Sequence, residues 1–236
     1  MRLYFIRHGQ SSNNELMERT KSVSERHEDP DLTALGYKQI KKLAKTLKEG
    51  HDIGGNSKEN QGYGITHVYT SLMKRAILTG DQVSKKNHLP LLGWMDIHEQ
   101  GGIFLEDKTT GEKRGQPGNE MEELKKISKR LVLPPEFGKG GWWNRPHENL
   151  NQARERGYQV IKKLMELHGG TEDRVALISH NAFYACFMSA IFELKEPDNY
   201  WFVLNNTGIS RIDFLDNYIY LVYQNDLRHL KPREIT

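Results

Sequence analysis

Two histidines and an arginine stand where a sheet would bring them together. His8 directly follows the apolar residues 3–6, inside Arg7-His8-Gly9-Gln10-Ser11-Ser12-Asn13-Asn14. His180 follows Val175-Ala176-Leu177-Ile178-Ser179 in the same way, and Arg75 opens a helical stretch after a third apolar run at 65–69. Open α/β sheets bind ligands at the carboxyl ends of their strands, so the three side chains converge on one edge. Each has a duller reading alone, because a histidine after a strand usually packs and a helical arginine is usually solvated. Together, two proton carriers and a fixed cation make a pocket for a small anion.

The elements that would position them alternate. Strands are predicted at 3–6, 65–69, 89–95 and 174–179, and helices at 71–85, 149–167 and 181–194. Thr33 reads as the N-cap of another helix, with Leu35, Ile40, Leu43, Ala44 and Leu47 at helical spacing. Residues 209–214 and 218–223 flank Asp216-Asn217 and read as a β-hairpin. Residues 15–31 read as an irregular charged loop, and 50–64 as a surface loop. Residues 100–146 show poor periodicity and read as an insertion with one helix near 118–131. The expected fold is therefore α/β, a three-layer α/β/α sandwich with a mostly parallel central sheet. One domain would span 1–236, with a lid or insertion at about 100–147.

Composition narrows the class. The 236 residues are 36% hydrophobic and 28% charged, an ordinary globular balance. The net charge of +3 is spread along the chain, which fits a solvated basic surface better than nucleic-acid binding. A lone Cys186 excludes an intramolecular disulfide and a multi-cysteine zinc site, and its apolar neighbours mark it as a core residue. The start of the chain is apolar too briefly for a signal peptide, and no stretch approaches a membrane span. A cytoplasmic protein without membrane attachment is expected. His51-Asp52-Ile53-Gly54 is similar to the start of a metal phosphohydrolase signature, but no further ligands follow at a supporting spacing. No metal site and no cofactor are expected.

The motifs also name a family. Arg7-His8-Gly9-Gln10-Ser11 with Asn14 resembles the R-H-G-[E/Q]-[S/T]-x-x-N signature of the histidine phosphatase superfamily, the phosphoglycerate mutase-like proteins of the R-H-G branch 1. Leu32-Thr33-Ala34-Leu35-Gly36-Tyr37-Lys38-Gln39 resembles its L-T-x-x-G-x-x-Q segment, and residues 71–80 its S-P-x-x-R-A-x-x-T-A segment. His98-Glu99-Gln100-Gly101-Gly102 is similar to the segment where an acidic residue precedes a glycine. His147-Glu148 with Arg156 resembles G-E-S…R, and His180 the second histidine after its strand. The matches keep the family order from residue 2 to 230. Three positions depart from the pattern: Leu72 replaces proline, Gly80 replaces alanine, and Asn181 stands where glycine usually follows the histidine. Asparagine tolerates unusual backbone angles, so its N–H could still face a phosphate.

The resemblance implies a mechanism without a metal. His8 would be the nucleophile and become phosphorylated. Arg7, Arg75, His180 and Asn14, with the Asn181 backbone, would hold the phosphate oxygens. Glu99 would be the general acid, with burial beside the phosphate favouring the protonated form, and His98 is the weaker candidate for that task. Glu148 is expected to orient an arginine or histidine. Arg145 could bind a second anionic group, and Trp142-Trp143 read as core or lid packing more than as a stacking platform.

The substrate would be a small phosphorylated molecule, and the sequence says nothing of oligomeric state. Residues 15–31 lack a run resembling the mutase segment N-x-F-x-G-W-x-D, which favours a phosphatase over a phosphoglycerate mutase. Ser12 and Asn181 stand where the acid phosphatase branch has an arginine and an aspartate, which excludes that branch. A phosphate-binding regulator without turnover is the alternative from another class.

Overall fold

The computed structural model describes residues 1–21, 25–50, 62–107, 109–195 and 199–236. The tetrapeptide 51–54 lies outside them. Seven strands form the main sheet: β1 (Arg2–Arg7), β2 (His67–Thr70), β3 (Leu91–Gly93), β6 (Leu131–Val132), β7 (Arg174–Ser179), β8 (Ile209–Leu215) and β9 (Tyr218–Asp226). Two further strands, β4 (Phe104–Glu106) and β5 (Lys113–Gly115), make a separate antiparallel pair. The main sheet runs β6-β3-β2-β7-β1-β8-β9, parallel from β6 to β1, with β8 and β9 antiparallel at one edge.

Both faces of β1 are covered, which is why its sequence is a continuous apolar run. Tyr4 and Ile6 face one buried cluster with Leu43 and Leu47 of α2 (Ala34–Glu49) and Ala76 and Ile77 of α3 (Lys74–Asn87). Leu3 and Phe5 face the other, with Val160 and Leu164 of α5 (Leu150–His168) and Phe183, Tyr184 and Phe187 of α6 (Asn181–Ile191). The period-2 alternation thus divides the core between two helical layers, giving the expected α/β/α sandwich with a mostly parallel sheet. Cys186 is buried in the second cluster, and burial pushes its thiol up to about 11.

Several expectations change. Residues 12–20 form a helix, α1 (Ser12–Thr20), where the sequence reads as loop. It buries none of its residues, so it has no apolar stripe to betray it. Its N-terminus is fixed by a capping box between Ser11 and Asn14. The strand expected over 89–95 shrinks to β3, because a 3-10 turn takes Met95–Ile97. Residues 100–147 contribute α4 (Met121–Ile127), the β4–β5 pair and β6. Leu124, Leu131, Trp142 and Trp143 join the cluster formed with α2 and α3, in keeping with the packing reading of the two tryptophans. Among the described residues, no helix is long and apolar enough to cross a membrane.

Candidate active site

The loop after β1 is held from three sides. His8 N–H donates to Ser179 O (3.0 Å), at the end of β7. Gly9 N–H donates to Thr79 Oγ1 of α3 (3.1 Å), and Gln10 N–H to Gln39 Oε1 of α2 (2.8 Å). Gly36 lies so close under the loop that a Cβ would overlap the Gln10 carbonyl oxygen. The L-T-x-x-G-x-x-Q pattern therefore has a physical basis: Thr33 caps the helix, Gly36 permits contact, and Gln39 binds the loop.

His8 is only 2% exposed. Its Nδ1 lies 2.7 Å from Gly9 O, and its Nε2 lies 3.1 Å from Arg75 Nε. A carbonyl can only accept and a guanidinium can only donate, so Nδ1 carries the proton and Nε2 offers its lone pair. Burial, with Arg75 and Arg7 adding to it, holds the imidazole well below the ordinary 6.5 and keeps it neutral. His180 caps the start of α6 with its ring centre 5.0 Å from that of His8. Both of its ring nitrogens are buried without a hydrogen-bond partner among the described residues. Burial, then Arg75 and His8, keep it neutral too.

Arg75 is buried, and it is aimed by its neighbours. Nη2 meets Met73 Sδ (3.1 Å), and Nη1 lies 3.7 Å from Asp29 Oδ1. Asp29 also accepts from Lys74 N–H and Asn119 Nδ2. Arg7 donates through Nη1 to Leu204 O (2.8 Å), and its burial pulls the guanidinium down to about 10. Asn14 Oδ1 accepts from Ser11 and from Asn206 Nδ2. Its own Nδ2 is left without a partner among the described residues, so it is available as a donor.

Glu99 is partly exposed rather than buried as expected. Its two oxygens accept from Gln100 N–H (2.9 Å), Phe183 N–H (2.9 Å) and Ala182 N–H (3.4 Å), so it sits at the N-terminus of α6. Gly101 and Gly102, both at positive φ, turn the chain away directly afterwards, and a Cβ on Gly102 would run into the Trp143 ring. His98 is fully buried against Trp143, and burial followed by Arg156 keeps it neutral.

These groups meet in a cavity of about 260 Å³ lined by His8, Asn14, Arg75 and Glu99 together with Ser11 and Arg26. Arg7 and His180 lie beside His8 but do not line it, and neither does His98. Asn181, at the start of α6 after His180, does not line the cavity; its side-chain Oδ1 accepts from Leu204 N–H (2.8 Å), and its backbone needs no positive φ. Arg145 also lies elsewhere, lining a separate cavity of about 500 Å³ with Trp143, Glu148 and Arg156. Glu148 holds Arg156 through two hydrogen bonds (2.7 and 2.6 Å), in keeping with its expected orienting role. Arg156 in turn donates to Asp96 O and His98 O, bracing the segment that carries Glu99.

Sequence reasoning missed Asp29 and Arg26. Both fall in a stretch of alternating charges that looks solvated, and no motif marks either residue.

The arrangement presents a neutral nucleophile, cationic donors and a carboxylate around one small space. A Hydrogenobacter thermophilus protein that carries a phosphoserine phosphatase name is 25% identical over 236 residues, 98% of each chain. An Escherichia fergusonii protein that carries a phosphoglycerate mutase name is 24% identical over 217 residues, 92% of this chain and 86% of the other. Among solved structures, an Entamoeba histolytica phosphoserine phosphatase mutant in complex with phosphoserine has the same fold, with a TM-score of 0.60. The two share 17% identity, and the likeness covers 98% of this chain and 99% of that one. The family model of the histidine phosphatase superfamily (branch 1) matches residues 3–227, nearly the whole chain, and the protein belongs to that superfamily.

Proposed function

We propose that the protein is a phosphomonoester phosphatase that acts on a small phosphorylated metabolite through a phosphohistidine on His8 and needs no metal. The observation that carries this reading is the state of His8. Its Nδ1 proton is tied to Gly9 O, so the lone pair lies on Nε2, held by the Arg75 Nε–H in the cavity that Glu99 also lines.

In the first step His8 Nε2 attacks phosphorus as the bond to the leaving oxygen breaks. Glu99 gives its proton to that oxygen. Arg75, Arg7, His180 and the Nδ2 of Asn14 hold the equatorial oxygens, taking the place of a metal ion. In the second step water attacks the phosphohistidine, its proton passes to Glu99, and His8 leaves with the lone pair it brought. In the free protein the Arg75 Nε–H covers that lone pair, so the guanidinium must turn to the phosphate when substrate enters. Residues 1–236 act as one domain on this reading, with 100–147 an insertion beside the site.

The names of its relatives divide between phosphatase and mutase. The absence of a mutase-like run in 15–31 supports water as the acceptor. The test is phosphate release from a panel of phosphomonoesters in EDTA, for wild type and His8→Ala. Release should survive chelation and fall on the order of 10³-fold or more in the variant. Release that His8→Ala retains, or that EDTA abolishes, would overturn the reading. Transfer of phosphate between positions of a phosphoglycerate, with no release, would make the protein a mutase.

A further inference from the structure

Arg26 is the cation in the His8 cavity for which phosphoryl transfer has no use. It lines the same space as His8, Arg75 and Glu99. Its Nε is buried without a hydrogen-bond partner, and no carboxylate lies within ion-pair distance of it among the described residues. Its Cζ stands 4.1 Å over the ring centre of Phe104, which is buried and braced edge-on by His147 at 4.6 Å. The Phe104 ring therefore covers one side of the guanidinium, and the N–H donors along its edge are left without a partner among the described residues. That edge is the part of arginine that grips a carboxylate with two parallel hydrogen bonds. Burial, then the nearby Arg75, press against its charge, and Glu99 and Glu106 offset them only in part, so an anion arriving there meets two guanidinium groups.

The space is small. About 260 Å³ is at the low end for ligand sites, enough for a phosphate and a short carbon chain. We propose that Arg26 binds a carboxylate of the substrate, so that the enzyme selects phosphate esters of small hydroxy or amino acids over those of neutral alcohols. The insertion enters substrate choice through Phe104, which orients Arg26 from beneath. This inference rests on the reading that the phosphate lies at His8 and Arg75.

Two ligands that differ only in the group in question make the test: 3-phosphoglycerate and glycerol 3-phosphate, a carboxylate against a hydroxymethyl on one skeleton. Their dissociation constants are measured by calorimetry on His8→Ala, which binds without turnover, and on the same protein carrying Arg26→Gln or Arg26→Lys. With Arg26 in place the carboxylate ligand should bind roughly 10- to 100-fold more tightly. Arg26→Gln should bring that ratio close to one, and Arg26→Lys should leave an intermediate ratio, since it keeps the charge and loses the fork. Circular dichroism checks that each variant is folded.

A ratio that survives Arg26→Gln would overturn the proposal, as would the absence of any preference with Arg26 present. Tighter binding of a bisphosphate than of 3-phosphoglycerate would overturn it in favour of a second phosphate. Turnover of an aryl phosphate by the unaltered protein separates the two claims: with turnover and no preference, only the Arg26 assignment fails. With neither turnover nor binding of either ligand, the phosphate site fails and the assignment falls with it.

Discussion

His8, His98 and His180 are buried imidazoles that no carboxylate pairs with among the described residues, and this fixes how the fold responds to acid. All three are held well below 6.5, with burial the first cause in each. The unfolded chain therefore takes up protons at pH values where the folded chain does not. Stability is level above about 6.5 and falls as pH drops from there toward the folded values. Each histidine can add a slope of about 1.4 kcal/mol per pH unit in that window. Urea midpoints should be flat from about pH 7 to 8 and drop steeply by about pH 5.5, and midpoints that stay level through this range would refute the argument. At this scale the sequence was informative where a residue followed a strand or stood in a motif. His8, Asn14, Arg75 and Glu99 were legible for that reason. Arg145 stands over the buried Trp143 ring and lines the cavity shared with Arg156 rather than that of His8, a placement no motif announces. Arg26 and Asp29 were invisible because nothing local separates a solvated charge from one folded inward.

Among the elements, α2 presses directly on the loop that carries His8. Replacing Gly36 with alanine pushes a methyl group into the Gln10 backbone, which cannot move without moving His8. Gly36→Ala should cost about 1–3 kcal/mol and reduce turnover with it. Thr33→Ala removes the cap and the hydroxyl's bond to the Gln10 side chain without crowding the loop, and should cost about 1 kcal/mol with turnover largely kept. Thermal midpoints and turnover numbers for the pair separate crowding from capping. Equal effects on turnover would mean that α2 does not position the loop. The parallel strands were legible as apolar runs because both faces are buried. By contrast, α1 has no buried face to generate a period, and β4, β5 and β6 are two or three residues long, too short to show one.

For the molecule as a whole, the sheet has a bare side. β9 is its last strand, and Tyr218, Ile219, Tyr220, Leu221 and Val222 are all exposed along it. Such an edge is a template for pairing with other chains. Tyr220→Lys with Val222→Lys should raise the temperature at which the protein aggregates while leaving specific activity within about twofold, since β9 touches only β8 in the sheet. Light scattering during a thermal ramp reads the first and phosphate release the second. An unchanged aggregation temperature would show that the edge is not the liability.

The interior of the strand order bears on synthesis. β1 lies between β7 and β8, so its neighbours in the sheet are residues 174–179 and 209–215. A ribosome adding about 5–20 residues each second needs on the order of 10–40 s to reach them. Throughout that time the segment bearing His8 has no strand to pair with, and its apolar residues are open to chaperones and to other nascent chains.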